Sequence, residues 1–441
     1  MESGNFSTYL WVCPWRERGY TQELEHTNEQ QKRAYPAMRF LARRPPFFLM
    51  VSTGAACIVV LLVFARLSYG LVLPAMREGL QLSYSQAANL STANALGYLL
   101  LVMVAGVFAA RFGGKTSVMV GLVLVIAGFL GLSQSTRYSV SLMLMVLLGM
   151  GTAFGYTPLI SLLANTYPHR RGAVIGLVNS GVGIGMLLIG ALAPPLTEAG
   201  GDGWRQVWLL FAAGGVLVSV LVALFLRNPP RPLAADTAAA LGEPDAPIFR
   251  NPHVVIVGLV YGVLGLTFIV QSTFMYSYAL AADTPPRTAG HLVSAMGMLS
   301  VFAGPAWGWL ADRLGYANGL MLSMGLSLLA TVIPVLHPVT WAFGAHFLLM
   351  GLCAAGMFST VLAASTETVP AHRAPVAVSF VTLFYAVGQL LGPALAGPLI
   401  EWRDGFRLVF ALSCVAMVIG VLLSAYSRRH QRARSPLPCA D

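Results

Sequence analysis

Long apolar stretches, separated by short polar breaks, divide this chain into twelve runs. In the first half they cover residues 47–73, 86–110, 116–135, 138–164, 171–196 and 204–226. In the second half they cover 253–281, 289–311, 317–336, 339–365, 373–400 and 405–426. Each is about as long as the ~20 residues an α-helix needs to cross a bilayer, or longer. The pattern also returns on itself. The segment GVFAARFGG, with Arg111 and Gly113, recurs as GWLADRLGY, with Arg313 and Gly315, at an offset of 202 positions (313 − 111). The same offset carries Gly149 to Gly351, Pro168 to Pro370, Arg171 to Arg373, Gly190 to Gly392 and Arg205 to Arg407. Landmarks in one register predict two copies of a six-helix unit, with any site lying where the copies meet.

Composition turns this helical reading into a membrane one. Of 441 residues, 56% are hydrophobic and 10% are charged, with a mean hydropathy of +0.71. A soluble domain carries roughly 25% charged residues. So few charges cannot clothe a water-facing surface, and lipid is the expected solvent. The net charge of +10 does not signal nucleic acid, because the basic residues lie between apolar runs and not on one polar face. Five cysteines, Cys13, Cys57, Cys353, Cys414 and Cys439, show no close pairing, so neither a disulfide framework nor a metal site is implied.

Residues 1–46 are polar and of mixed charge, without the apolar core of a signal peptide, and read as a cytoplasmic tail. The recognisable pattern begins after Met38, which is a candidate start. Residues 227–252, rich in proline and charge, read as a linker between bundles 47–226 and 253–426, and 427–441 as a second tail. With the N-terminus inside, the inner segments from Lys32 onward hold 18 Arg and Lys and the outer ones 6. That bias predicts cytoplasmic termini in a bacterial inner membrane.

Gly308, Asp312, Arg313 and Gly315 resemble the signature loop between helices 8 and 9 of the major facilitator superfamily. The resemblance covers roughly residues 47–427. It implies an all-α membrane fold of two pseudo-symmetric six-helix bundles. FARLSYGLVLPAM after the first span, STANALGYLL in the second and GWRQVW opening the sixth look like the YbfB/YjiJ-type group. They are also similar to bacterial carboxylate transporters of the oxalate/formate and monocarboxylate type. Ala110 stands where the first-half motif has Asp, and Met145 where many members carry Arg. Span 5 lacks the Gly-Pro step of the antiporter pattern. These departures weigh against proton-coupled drug efflux.

Arg66 is the sharpest chemical signal, a charge inside the first apolar run. Such a residue faces a cavity with a partner or snorkels to the boundary. A guanidinium fork suits a carboxylate or phosphate, which makes an anionic substrate the expectation. Its repeat counterpart is Phe268, so the charge belongs to one half alone. Tyr69 lies three residues on, and Asn94 and Tyr98 continue a polar stripe from Ser91 in span 2. Tyr156, Asn179, Gln271, Tyr385 and Gln389 are further lining candidates, the alternative for each being hydrogen bonding between helices. His346, inside span 10, reads as a packed neutral histidine. Asp312, Arg313, Glu367 and Arg373 on one half, and Arg111 and Arg171 on the other, form a candidate cytoplasmic gate.

The expected protein is a monomeric secondary transporter moving a small organic anion by alternating access, with lipid around it and no cofactor. Drug or metabolite efflux is the alternative, and a non-transporting sensor a weaker one. No nucleophile–base pair or metal cluster suggests an enzyme. GGKTS at 113–117 imitates a phosphate-binding loop, but Ala109 replaces the required glycine.

Overall fold

The computed structural model describes residues 46–167, 170–198, 202–228, 250–369, 373–402 and 405–434. The segments read as N-terminal tail and linker lie mostly outside them, as do residues 435–441 of the C-terminal tail. All twelve apolar runs are helical, and the described residues contain no strand. Spans 2 to 6 are Tyr84–Phe112, Gly114–Gln134, Tyr138–Thr166, Arg171–Glu198 and Gly203–Phe225. Spans 7 to 12 are Pro252–Ala281, Pro286–Leu314, Tyr316–Leu336, Thr340–Thr366, Ala374–Ile400 and Gly405–Arg434. Among the described residues, eleven helices, with Phe47–Leu67 as the first, are long and apolar enough to cross a membrane; span 8, 29 residues long, is the other helix of the twelve. Span 12 continues as helix to Arg434, past the predicted boundary at 426.

Span 1 departs most from its prediction. It starts as an α-helix, Phe47–Ile58, widens into a π-helix, Val59–Leu67, and resumes as an α-helix, Tyr69–Gly79. Ser68 N–H reaches back five residues to the Val63 carbonyl, at 2.8 Å. Neighbouring helices hold this wider register. Thr152 Oγ1 donates to the Leu61 carbonyl at 2.8 Å, and Asn94 Nδ2 to the Ala65 carbonyl at 2.9 Å. Two carbonyls of the segment thus gain partners outside their own helix. Such π-turns are rare and gather at functional sites.

The turns between spans 2–3 and 8–9 share one geometry. Gly113 has φ +93° and Gly315 has φ +81°, a left-handed conformation that only glycine adopts without cost. The two glycines stand 202 positions apart (315 − 113), so the repeat seen in sequence is a repeat of backbone shape.

Within the first half, span 2 packs on span 4, span 3 on spans 4 and 6, and the π-helical part of span 1 on spans 4 and 5. The matching pairs 8–10, 9–10 and 9–12 build the second half. Across the halves, span 5 packs on span 8, span 2 on span 11, and the end of span 1 on span 7. Spans 5 and 8 carry glycines at seven-residue intervals: Gly176, Gly183 and Gly190 on one, Gly290, Gly297 and Gly304 on the other. A Cβ on Gly183 would lie 2.5 Å from the Gly297 carbonyl oxygen, and one on Gly190 2.5 Å from that of Gly290. The third potential pair is apart, for among the described residues neither Gly176 nor Gly304 has an atom within 4 Å of such a Cβ. The two helices therefore touch backbone to backbone at one end and separate towards the end that bears the 2–3 and 8–9 turns.

Candidate functional site

Arg66 leaves the π-helical stretch half-buried and reaches across to the other half, where its Nη2 donates to Gln389 Oε1 on span 11. Its guanidinium lies 5.2 Å from the centre of the Tyr98 ring on span 2, in cation–π geometry. Tyr156 on span 4 and Tyr385 on span 11, both half-buried, stand within electrostatic reach of Arg66 and of Tyr98. The described ion pairs, Arg205–Asp202 and Arg287–Glu198, do not involve Arg66. Its charge is met by an amide oxygen and the Tyr98 ring face.

Beneath the guanidinium, towards the end where the halves touch, lies an enclosed cavity of about 10 Å³, enough for one water molecule. Arg66, Tyr69, Ser91 and Asn94 line it from the first half, and Ser272 and Thr273 from span 7. Ser91 and Thr273 hydroxyls meet across it at 3.1 Å. Asn94 spends its amide N–H on Ala65, and its Oδ1 is buried with no partner. Tyr69 is committed structurally, donating to the Ala87 carbonyl at 2.8 Å.

An aromatic wall faces Arg66 from the second half. Tyr261 stacks on Tyr385 with ring centres 4.7 Å apart, and Phe358 meets both Tyr385, at 5.7 Å, and Phe268, at 5.1 Å. Phe268 is the repeat counterpart of Arg66. The site thus has one cationic side and one aromatic side, which suits a molecule with an anionic head and an apolar body.

The structure therefore brings Arg66, Tyr69, Asn94, Tyr98, Tyr156, Tyr385 and Gln389 together. It does not join the other two candidates to them. Asn179 is half-buried on span 5, and among the described residues no contact links it to Arg66. Gln271 is buried with neither amide atom bonded. Tyr261 and Thr273 belong to the neighbourhood although neither was a candidate. Tyr261 stands seven residues before Phe268, two helical turns away on the same face, which is the signal that could have found it. His346 is packed, its Nδ1 2.9 Å from the Ala330 carbonyl oxygen.

At the touching end, polar contacts bridge the halves. Arg287 on span 8 pairs with Glu198 on span 5 at 2.7 Å, and the Glu401 carboxylate beyond span 11 accepts from the Ser85 backbone N–H of span 2 at 2.8 Å. At the separated end, Arg111 lies over the Phe112 ring at 5.5 Å and Arg313 over Trp309 at 4.1 Å. Glu367 closes span 10 and Arg373 caps the start of span 11. The side chains of Asp312 and Arg171 lie outside the described residues.

The family model described as "Uncharacterised MFS-type transporter YbfB" matches residues 58–425. Human monocarboxylate transporter 6 is 26% identical over 350 residues, 72% of this chain and 67% of that protein. The uncharacterized transporter YycB of Bacillus subtilis (strain 168) is 26% identical over 379 residues, 83% of this chain and 90% of its own length. Among solved structures, an inward-facing, unoccupied bacterial homolog of the human lysosomal transporter Spinster superposes with a TM-score of 0.70 at 17% identity, covering 89% of this chain and 98% of that one. A D-xylose–proton symporter gives a TM-score of 0.70 at 14% identity, over 86% and 97%. These two likenesses concern the fold alone. With its helical repeat and its site between the halves, the chain belongs to the YbfB-type family of major facilitator superfamily transporters.

Proposed function

We propose that this transporter moves a small organic anion bearing one carboxylate, with Arg66 as the counter-charge. The observation that carries the reading is the half-buried Arg66 fork, set within a span between the halves and facing tyrosines and an amide instead of a fixed carboxylate. A cation in that position is costly unless it serves a ligand or pathway. Tyr98, Tyr156 and Tyr385 offer hydroxyls to the carboxylate, and the Tyr261–Phe268–Phe358 wall takes its apolar body. The monocarboxylate transporters among the relatives support the substrate class. Bundles 47–226 and 253–426 rock about this site, and the separated end faces the cytoplasm, in keeping with the bias of arginines to that side.

The test is uptake of labelled lactate, pyruvate and benzoate, with succinate as a dicarboxylate control, into proteoliposomes of the full chain. Monocarboxylates are expected to enter. Arg66→Ala should weaken apparent affinity about 10- to 100-fold, the loss of a hydrogen-bonded charge worth ~1.5–3 kcal/mol. Unaltered flux by Arg66→Ala removes the anion reading.

A further inference from the structure

Gln389 holds a position that the transport reading alone does not explain. It is 1% exposed and belongs to the opposite half from Arg66. Arginine only donates hydrogen bonds, so the amide oxygen must be the end turned to it. The other end, Nε2, is buried with no partner. A buried N–H group left unbonded is costly, and most such groups in proteins are satisfied. Here one amide presents an acceptor to the cation and, beside it, an unsatisfied donor. A carboxylate entering between them meets both needs. One oxygen takes the guanidinium in place of Oε1, and the other accepts from Nε2.

The empty carrier faces a second problem. To change state without cargo, it must close around a bare guanidinium in a site that loses water on closure. Burying an unpaired charge is unfavourable unless hydrogen-bonded groups compensate. An exchanger lacks such compensation and must wait for a second anion. An amide oxygen delivered from the other half provides it.

We propose that Gln389 stands in for the anion in the empty carrier, accepting from Arg66 until cargo displaces it and so permitting the empty protein to change state. This rests on the reading of Arg66 as the anion's counter-charge. Its consequence is net transport and not obligatory exchange. Gln389 touches Arg66 in the empty carrier and the cargo in the loaded one, and its removal hits the empty return step harder than the loaded one.

Full-length wild type, Gln389→Leu and Gln389→Glu are reconstituted, and labelled lactate is followed in two modes: net uptake into empty vesicles and counterflow into lactate-filled ones. For Gln389→Leu, the ratio of net uptake to counterflow should fall roughly tenfold, the scale of one hydrogen bond to a charge. Gln389→Glu, which would neutralise Arg66 internally, should lose both modes. An unchanged ratio for Gln389→Leu overturns the proposal. A ligand-free arm places spin labels at Gln81→Cys and Trp402→Cys, exposed positions at the touching end. Empty wild type should give two distance populations and Gln389→Leu one; identical distributions overturn the proposal. If wild type moves no lactate, the carboxylate reading fails, while the label distances still decide the role of Gln389.

Discussion

Spans 5 and 8 present the same glycine spacing at both ends and use it in opposite ways. Gly183–Gly297 and Gly190–Gly290 meet as bare backbone, whereas Gly176 and Gly304, one period further on, meet nothing. Helical phase gives all three pairs the same face, so local propensity cannot explain the difference. Two rungs are closed in the conformation described and the third is open. Under the proposed rocking of the bundles, the third rung closes in the other state. Small residues recur on moving helices because only they let backbones approach this closely.

Substitution at the rungs should break that contrast, with the largest effect. Gly183→Leu or Gly297→Leu places a side chain against rigid backbone, since even a Cβ at Gly297 would lie 2.6 Å from the Gly183 carbonyl oxygen. Overpacking of this kind costs ~1–3 kcal/mol. The melting temperature of the empty protein in detergent should drop by several degrees, with transport lost. Gly304→Leu should leave that melting temperature within a degree, because no atom of the described residues opposes it, yet abolish flux by preventing the other end from closing. Equal melting losses at Gly183 and Gly304 would refute the two-state reading of the ladder.

A smaller effect sharpens the comparison at the touching end. Arg287 is largely exposed, so its pair with Glu198 is worth about 1 kcal/mol or less and weakens with salt. Glu198→Gln should shift the balance of states only a few-fold, read as faster labelling of a cysteine at Ser294 on span 8, and the shift should shrink in high salt.

The smallest effect is one of pH. Hydrogen bonds, first of all from the Ser85 backbone N–H, hold the Glu401 carboxyl below its ordinary value near 4.5, against a lesser opposing push from burial. A depressed value means that the carboxylate form is the one the closed contact favours. The stabilisation is therefore complete above about pH 4.5 and is lost as the pH falls through the lowered value. The spin-label distance at this end should lengthen on acidification in wild type and become insensitive to pH in Glu401→Gln.

Much of this was legible in the residues. Twelve apolar runs gave twelve helices, and the 202-residue offset gave the matched turns at Gly113 and Gly315. Arg66 stood out because charge inside an apolar run has few explanations, and its place between the halves agrees with the cavity-facing option. The partners of Arg66 were harder to read. A helix that is apolar all round carries little directional signal, so Gln271 and Asn179 looked as eligible as Gln389. The π-helical register was also invisible, since it depends on hydroxyl and amide groups of spans 2 and 4 bonding carbonyls of span 1. Hydrogen bonds between distant segments leave no trace in periodicity. That is why Tyr69 and Asn94 emerged as partly structural, each holding a backbone carbonyl of another segment or helix.

The twin elbows differ in one further respect. At Gly113 the turn is fastened to the exit of span 6: Asn228 Oδ1 accepts from the Lys115 backbone N–H at 2.8 Å, and Lys115 Nζ donates to the Ala223 carbonyl at 2.7 Å. Among the described residues, no atom stands within 4 Å of the corresponding point at Gly315. Asn228 thus ties the exit of span 6 to the turn that ends span 2, a helix that packs on span 11 of the second half.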